Sequence, residues 1–185
     1  MYKDCKTEQS IMRQREMEQG LLRMMQKHRY EDISVSDLCA YLQIPRKSFY
    51  RYFFSKDGAL YALLDHVMMD FFQEGFRTED SGSAIEDLDR FFAFWYHHKE
   101  LLDALRKSQL SGILVERATS LALRERMIPR HMQKLPQKQQ EMAMSFSVCG
   151  LLAMVLQWHQ QGFCISVEEI TKLAKNMLAQ PLLFL

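Results

Sequence analysis

The chain has 185 residues, with 24 Lys and Arg against 23 Asp and Glu, 48% hydrophobic residues, 7 Gly and 4 Pro. This length and apolar content predict one compact domain or two small ones, well packed rather than disordered. The four cysteines, Cys5, Cys39, Cys149 and Cys164, stand far apart with no CxxC spacing, which predicts neither a disulfide framework nor a metal site. The first ten residues mix both charges and lack the apolar run of a signal peptide, so we expect a cytoplasmic protein.

Apolar residues recur at helical spacing along the chain, without the sustained alternation typical of strands. The sequence therefore predicts an all-α protein. A polar, turn-forming loop from Arg77 to Ser83 separates the first four helices from the rest. The predicted helices cover residues 6–28, 34–42 and 45–52, a longer stretch after Ser55, and residues 84–97, 99–108, 113–132, 137–161 and 166–179.

Local signals mark the starts of the second, third and fourth helices. Ser34 and Asp37 have the spacing of a capping box, and Ser55 precedes the fourth helix as a cap. Pro45 suits the first position of the third helix, because its φ is already helical and no N–H is needed there. Two short helices joined by a tight turn, behind one supporting helix, predict a helix-turn-helix whose second short helix enters the major groove of DNA.

Charge is distributed unevenly along the chain. Residues 1–56 hold 11 basic and 7 acidic side chains, whereas residues 57–185 hold 13 basic and 16 acidic ones. Arg46, Lys47 and Lys56 lie in the first turns of predicted helices, where cations oppose the helix dipole. A phosphate backbone would supply the missing negative charge. A solvated basic face is the alternative interpretation.

Residues 49–54 place five aromatic rings around one arginine, more than a small core can bury. Phe49 and Phe53, four residues apart, are predicted to pack on the first two helices. Tyr50 and Arg51 then project on other faces, with a hydroxyl and a guanidinium available for DNA. The alternative is that every ring belongs to the core.

The segment over residues 30–57, YEDISVSDLCAYLQIPRKSFYRYFFSKD, resembles the N-terminal signature of the TetR family of bacterial transcriptional regulators. The resemblance covers about a third of the chain, and the helical remainder is similar to that family only in architecture. Its most specific part is Tyr50-x-Tyr52-Phe53-x-x-Lys56-Asp57.

The resemblance implies a domain organisation and a function. Residues 1–56 would form a three-helix DNA-binding domain, joined by a long fourth helix to a helical effector-binding and dimerisation domain over residues 57–185. The protein would be a homodimer, most often a repressor, that leaves a palindromic double-stranded DNA operator when a small apolar or amphipathic effector binds. We expect the fourth helix to be the only continuous link between the two domains.

Three positions match those at which such proteins commonly contact phosphates. They are Ser36, near the start of the second helix, Tyr50 and Lys56. Arg29 departs from the pattern, because the family usually has Gly at the end of the first helix. This departure removes no phosphate contact.

The positions of base-reading side chains match Arg46, Lys47 and Ser48, and Arg51 completes the predicted set of DNA contacts. Pro45 stands where a capping Ser is common. Lys47 stands where Gly is frequent, which implies a different operator sequence more than a different binding mode.

The helix over residues 137–161 contains no Asp, Glu, Lys or Arg from residue 142 onwards. Its polar interruptions argue against a membrane span, so we expect no membrane association. Being apolar nearly all round, it is predicted to pack inward on one face and on a second subunit on another, with a buried helix of a monomer as the alternative. The predicted interface comprises Phe146, Cys149, Gly150, Ala153, Leu156, Ile170, Ala174 and Met177.

Aromatic and methionine side chains of the C-terminal region could line an apolar effector pocket, although such residues more often form core. No nucleophile, base and orienting group stand at a recognisable spacing, so we expect neither an enzyme nor a cofactor. The alternative function is a TetR-like adaptor that acts through a protein partner rather than DNA. The predicted pocket residues are Phe71, Phe92, Trp95, Tyr96, Met127, Met144 and Trp158.

Overall fold

The computed structural model of the chain describes residues 1–75, 84–125 and 133–179. Within these ranges the protein is all-α, as predicted, and one isolated bridge between Tyr2 and Phe53 is its only β-type pairing. The loop predicted at residues 77–83 and the predicted end of the seventh helix lie outside the described residues. The helices are α1 (Glu8–Lys27), α2 (Val35–Tyr41), α3 (Arg46–Tyr50), α4 (Lys56–Gly75), α5 (Ala84–His97), α6 (Lys99–Lys107), α7 (Ser111–Arg124), α8 (Gln137–Gln160) and α9 (Val167–Ala179).

Side-chain caps begin α2 and α4 at the predicted residues. The Ser34 hydroxyl accepts the Asp37 N–H at 3.1 Å, and the Asp37 carboxylate accepts the Ser34 N–H at 2.9 Å. Hydrogen bonds from Ser34 also lower the pKa of the Asp37 carboxyl. The Ser55 hydroxyl accepts the Gly58 N–H at 3.1 Å. Each cap satisfies amides that the first turn of a helix leaves without partners.

Packing divides the chain into two compact units. The first unit comprises Met1–Val67 and Asp103–Arg117, and the second comprises Met68–Leu102 and the described residues from Ala118 onwards. The chain passes from one unit to the other within α4, α6 and α7, so the expectation that α4 is the only continuous link is wrong. The predicted boundary after residue 56 separates a DNA-binding domain from an effector-binding domain by function, and it stays a prediction.

Residues 103–117 join the first unit through polar contacts. The Ser108 hydroxyl accepts the Tyr30 N–H at 2.9 Å, and the Lys107 ammonium donates to the Gln26 carbonyl at 3.1 Å. Arg117 forms a bidentate ion pair with Asp65, in which Nε of Arg117 lies 2.9 Å from Oδ1 of Asp65 and Nη2 contacts Oδ2. Because the Asp65 side chain is 1% exposed, the Arg117 guanidinium offsets the cost of burying its carboxylate.

The second unit has an aromatic core. Phe71 packs on Phe91 with ring centroids 5.6 Å apart, and Phe92 packs on Trp158 at 6.1 Å. α5 packs along α9, whose buried face includes Ile170. This unit therefore buries one side of α9 without any second chain.

α8 has the length and composition of a membrane-spanning helix, and it is the one such helix among the described residues. Core helices of soluble proteins meet the same criterion. Met144, Leu152, Val155 and Trp158 of α8 are buried within the second unit, which identifies at least one face of α8 as part of a protein core.

Breaking the buried ion pair should cost far more than breaking an exposed one. We expect Arg117→Ala to lower the free energy of unfolding by about 3 kcal/mol, because it leaves the Asp65 carboxylate buried without its cation. Arg106→Ala is the matched control, since Arg106 pairs with Asp103 at 3.6 Å and both side chains are more than half exposed. The control should lose less than about 1 kcal/mol. Urea unfolding followed by circular dichroism measures both, and equal losses would contradict the prediction.

Candidate nucleic-acid interface

The short helix α3 is anchored by aromatic side chains. Phe49 and Phe53 are both fully buried, with ring centroids 5.1 Å apart, which confirms the prediction that these two rings point inward. Pro45 is the N-cap of α3 rather than its first residue, and the helix ends at Tyr50, two residues before the predicted end. The anchor fixes which side chains of α3 face solvent.

The predicted base-reading and phosphate-contacting side chains of α3 lie on its outer side. Arg46, Lys47, Tyr50 and Arg51 are exposed, and Ser48 is half-buried. The Arg46 guanidinium donates to the Tyr50 hydroxyl at 3.4 Å. Because residues 38–56 contain no Asp or Glu, these cations have no carboxylate close in sequence. The other predicted contact, Ser36, is exposed near the start of α2.

Lys56 has a structural role that the sequence did not reveal. Its ammonium donates to the carbonyls of Tyr30 at 2.6 Å and Ile33 at 2.5 Å and lies 4.1 Å from the Tyr30 ring centroid. Burial lowers the pKa of this ammonium, and the neighbouring Asp57 carboxylate opposes that shift. Two of its three protons are thus committed within the protein, which leaves one for the predicted phosphate contact.

Tyr30 and Asp57 complete the same junction. The Tyr30 hydroxyl donates to the Asp57 carboxylate at 2.5 Å. Burial, and then the carboxylate, raise the pKa of the Tyr30 phenol above its ordinary value. Together with Lys56, these residues fasten the short 3-10 turn over Tyr30–Asp32 to the start of α4.

An N-terminal strap, residues Met1–Lys3, lies against the connection between α3 and α4. The Lys3 N–H donates to the Tyr52 carbonyl at 2.9 Å, and the Phe54 N–H donates to the Met1 carbonyl at 3.2 Å. The Lys3 ammonium also lies 5.6 Å from the Phe54 ring centroid. The strap was not predicted, because no local pattern in three residues signals pairing with a segment some 50 positions away.

The strap is attached to α4 as well. The Tyr2 hydroxyl donates to Asp65 at 2.7 Å, on the carboxylate that Arg117 also binds. Gly58 lies under the strap, where a Cβ atom would stand 2.3 Å from the Met1 carbonyl oxygen. Any larger residue at position 58 would therefore displace the strap.

The predicted pocket residues are distributed between the core and the surface of the second unit. Phe92 and Trp95 are fully buried, Phe71, Met144 and Trp158 nearly so, and Tyr96 is 45% exposed. Met127 lies outside the described residues. The Phe91 ring contacts those of Phe71, Phe92 and Trp95. Phe92 in turn contacts Trp158, on which Tyr96 stacks. The structure thus brings most of these side chains together as one aromatic cluster.

The predicted interface residues divide between an exposed face and the core. On α8, Phe146 is 62% exposed, Cys149, Gly150 and Ala153 are also exposed, and Leu156 is half-buried. Met142, one turn earlier and 72% exposed, extends this apolar face. It was missing from the prediction, although it lies four residues before Phe146.

The predicted stripe on α9 needs correction. Ile170 and Ala174 are 3% and 1% exposed, so a partner subunit cannot contact them, because they are packed inside the second unit. Met177 is 39% exposed, and Leu173, not predicted, is 47% exposed. Of the predicted stripe on α9, only Met177 therefore remains on the surface, together with Leu173.

The helical arrangement is shared with solved bacterial regulators, and the chain has a TetR-like fold. It is similar to the TetR family repressor AlkX from Dietzia sp. strain DQ12-45-1b, implicated in biodegradation of n-alkanes, with 16% identity, a TM-score of 0.51, and coverage of 86% of this chain and 94% of AlkX. The fatty acid degradation regulator FadR from Bacillus halodurans gives 14% identity, a TM-score of 0.58, and coverage of 95% of this chain and 96% of FadR. The dihydroxyacetone kinase operon activator DhaS gives 17% identity, a TM-score of 0.57, and coverage of 91% of this chain and 95% of DhaS.

No protein-family model matches the chain, and neither does any curated protein sequence. The likeness is therefore one of fold, carried by structures that share fewer than one residue in five with this chain.

Gly58→Ala should detach the strap, because the added methyl group overlaps the Met1 carbonyl, which also accepts the Phe54 N–H. We expect a loss of about 1–3 kcal/mol in the free energy of unfolding, and faster hydrogen exchange at the Lys3 and Phe54 amides. Gly112→Ala in α7 is the control, since a Cβ there meets nothing within 4 Å and alanine favours the helix by up to about 1 kcal/mol. Unchanged exchange at Lys3 and Phe54 in Gly58→Ala would refute the assignment.

Proposed function

We propose that the protein is a cytoplasmic, sequence-specific DNA-binding transcriptional regulator, a homodimeric repressor that a small-molecule effector releases from a palindromic operator. One observation carries the proposal. α3 is fastened by buried Phe49 and Phe53 and presents Arg46, Lys47, Tyr50 and Arg51 to solvent, in a stretch without any carboxylate. A rigid short helix with exposed cations is what reading the edges of bases in a major groove requires.

The exposed side chains of α3 support two kinds of DNA contact. Guanidinium and ammonium groups at Arg46 and Lys47 can donate to the O6 and N7 acceptors of guanine, which gives sequence preference. Hydroxyls at Ser36 and Tyr50 can donate to phosphates, which fixes register without reading sequence. In this proposal Lys56 acts mainly by holding the start of α4 and adds its one remaining N–H to a phosphate.

The exposed apolar face of α8 supports the homodimer. Met142, Phe146, Cys149, Gly150 and Ala153 follow one another at helical spacing. An apolar face of this length on a soluble protein is most economically covered by another protein surface. A second copy of α8 offers a matching face by two-fold symmetry, and a dimer places two α3 helices for the two halves of a palindrome.

The effector would bind in the second unit. Its aromatic cluster supplies apolar surface for a small apolar or amphipathic molecule. The buried indole Nε1 of Trp95 has no hydrogen-bond partner among the described residues, and such donors usually find one. A ligand with a hydrogen-bond acceptor would satisfy it.

DNA binding is tested by gel shift on the DNA that flanks the gene, with random duplex as competitor. We expect Lys47→Ala to reduce discrimination between operator and random DNA by about 1–3 kcal/mol, because it removes a base contact. Tyr50→Phe is the control and should weaken both duplexes alike, because it removes a phosphate contact. If the wild-type protein binds no flanking DNA, the alternative function as an adaptor is favoured. An equal loss of affinity for all sequences in Lys47→Ala would refute the base-reading role of Lys47.

The dimer is tested by placing a charge in the middle of the α8 face. Ala153→Glu should give monomers that bind operator poorly, because an unpaired carboxylate is costly to bury and two half-sites must be read together. Lys99→Glu is the control, an exposed change at the start of α6 outside this face. Analytical ultracentrifugation reports the oligomeric state, and a soluble Ala153→Glu dimer with unchanged operator affinity would contradict the proposal.

A further inference from the structure

A polar cleft of about 300 Å³ lies beside α3, in the first unit. α1 contributes Gln9, Ser10 and Arg13 to its walls, and Ser48 and Arg51 line it from α3 and the residue that follows. Buried Met17 is among its apolar lining residues. None of its lining residues is Asp or Glu, so the cleft holds two cations and no side-chain anion.

Two other arginines of this unit have carboxylate partners. Arg29 pairs with Glu31 at 2.5 Å, and Arg117 binds Asp65. Arg13 and Arg51, in contrast, are exposed and have no ion pair or hydrogen bond with any side chain in the described ranges. Two like charges at one cleft repel each other, and an anion between them would relieve that repulsion.

The hydroxyls of the cleft are not equivalent. Ser10 is occupied by the cap of α1, since its hydroxyl donates to the Thr7 carbonyl at 2.8 Å. The Ser48 hydroxyl makes no hydrogen bond within the described part of the chain and is free to donate. The available donors are therefore the guanidinium groups of Arg13 and Arg51 and the Ser48 hydroxyl. This set suits the tetrahedrally arranged oxygens of a phosphate.

We propose that this cleft binds a phosphate of the DNA backbone, so that α1 contributes Arg13 to the interface from outside the helix-turn-helix. The inference rests on the proposed function and adds a contact to it. Ser48 and Arg51 connect the cleft to α3, so a phosphate held there fixes the position of Arg46 and Lys47 along the groove. Such a contact adds affinity for every sequence alike.

The test compares Arg13→Ala with Arg23→Ala, which removes the same charge from an exposed position of α1 that does not line the cleft. Fluorescence anisotropy with operator-bearing and random duplexes is recorded at several salt concentrations. We expect Arg13→Ala to weaken both duplexes by about tenfold and to reduce the slope of log affinity against log salt by about 0.9, the value for one phosphate. Arg23→Ala should leave the slope unchanged.

A double variant sharpens the test. If Arg13 and Arg51 bind one phosphate, the loss in Arg13→Ala/Arg51→Ala is smaller than the product of the two single losses, because each change already weakens the shared contact. Arg13→Gln, which keeps the length of the side chain, should reproduce Arg13→Ala. Strictly multiplicative losses would overturn the shared phosphate.

The remaining outcomes separate this inference from the proposed function. Wild-type protein that binds neither duplex overturns the function and the inference with it. Wild-type binding with unchanged affinity and slope in Arg13→Ala overturns the inference alone. Calorimetric titration with inorganic phosphate distinguishes the source of the anion: Arg13-dependent binding of phosphate, with DNA binding insensitive to Arg13, would assign the cleft to a free anion and overturn the inference.

Discussion

α3 has five residues, and a helix of that length is not stable on its own. The candidate interface therefore depends on what holds α3 from either side. Phe49 and Phe53 bury its inner face, the N-terminal strap binds the backbone that follows it, and Lys56 fastens the start of α4 to the turn before α2. Because these tertiary contacts set its position, α3 can carry polar side chains at its outer positions that are not needed to hold it in place.

Features governed by neighbouring residues could be predicted from the sequence, and features governed by distant ones could not. The capping pair Ser34 and Asp37 is three residues apart, and the inward direction of Phe49 and Phe53 follows from helical spacing. The phosphate contact of Lys56 stays a prediction, but its role within the protein was not predicted, because a cation in a helix's first turn has the same pattern whether it faces a phosphate or a carbonyl. Its acceptors within the protein lie 23 and 26 positions earlier.

The error on α9 has a related cause. An apolar stripe shows that one side of a helix is covered but does not show by what. Ile170 and Ala174 are covered within the unit, where α5 packs along α9, and the surface that remains apolar holds Leu173 and Met177. On α8, which is apolar nearly all round, periodicity cannot separate the two faces, and only the fold shows that Phe146 lies outside.

Charge in the first unit follows two different rules. Buried carboxylates have basic side chains beside them: Asp65 binds Arg117, and Glu18 lies 3.0 Å from the Nδ1 atom of His66. Such pairing is required because a lone buried charge costs several kcal/mol. Within the described part of the chain, the exposed cations of α3 form no ion pair with a carboxylate, an arrangement that water tolerates at little cost. Under the proposed function, these cations replace counterions along the DNA backbone, and the release of those counterions to solvent favours binding. Stability and DNA affinity would then depend on separate sets of charges.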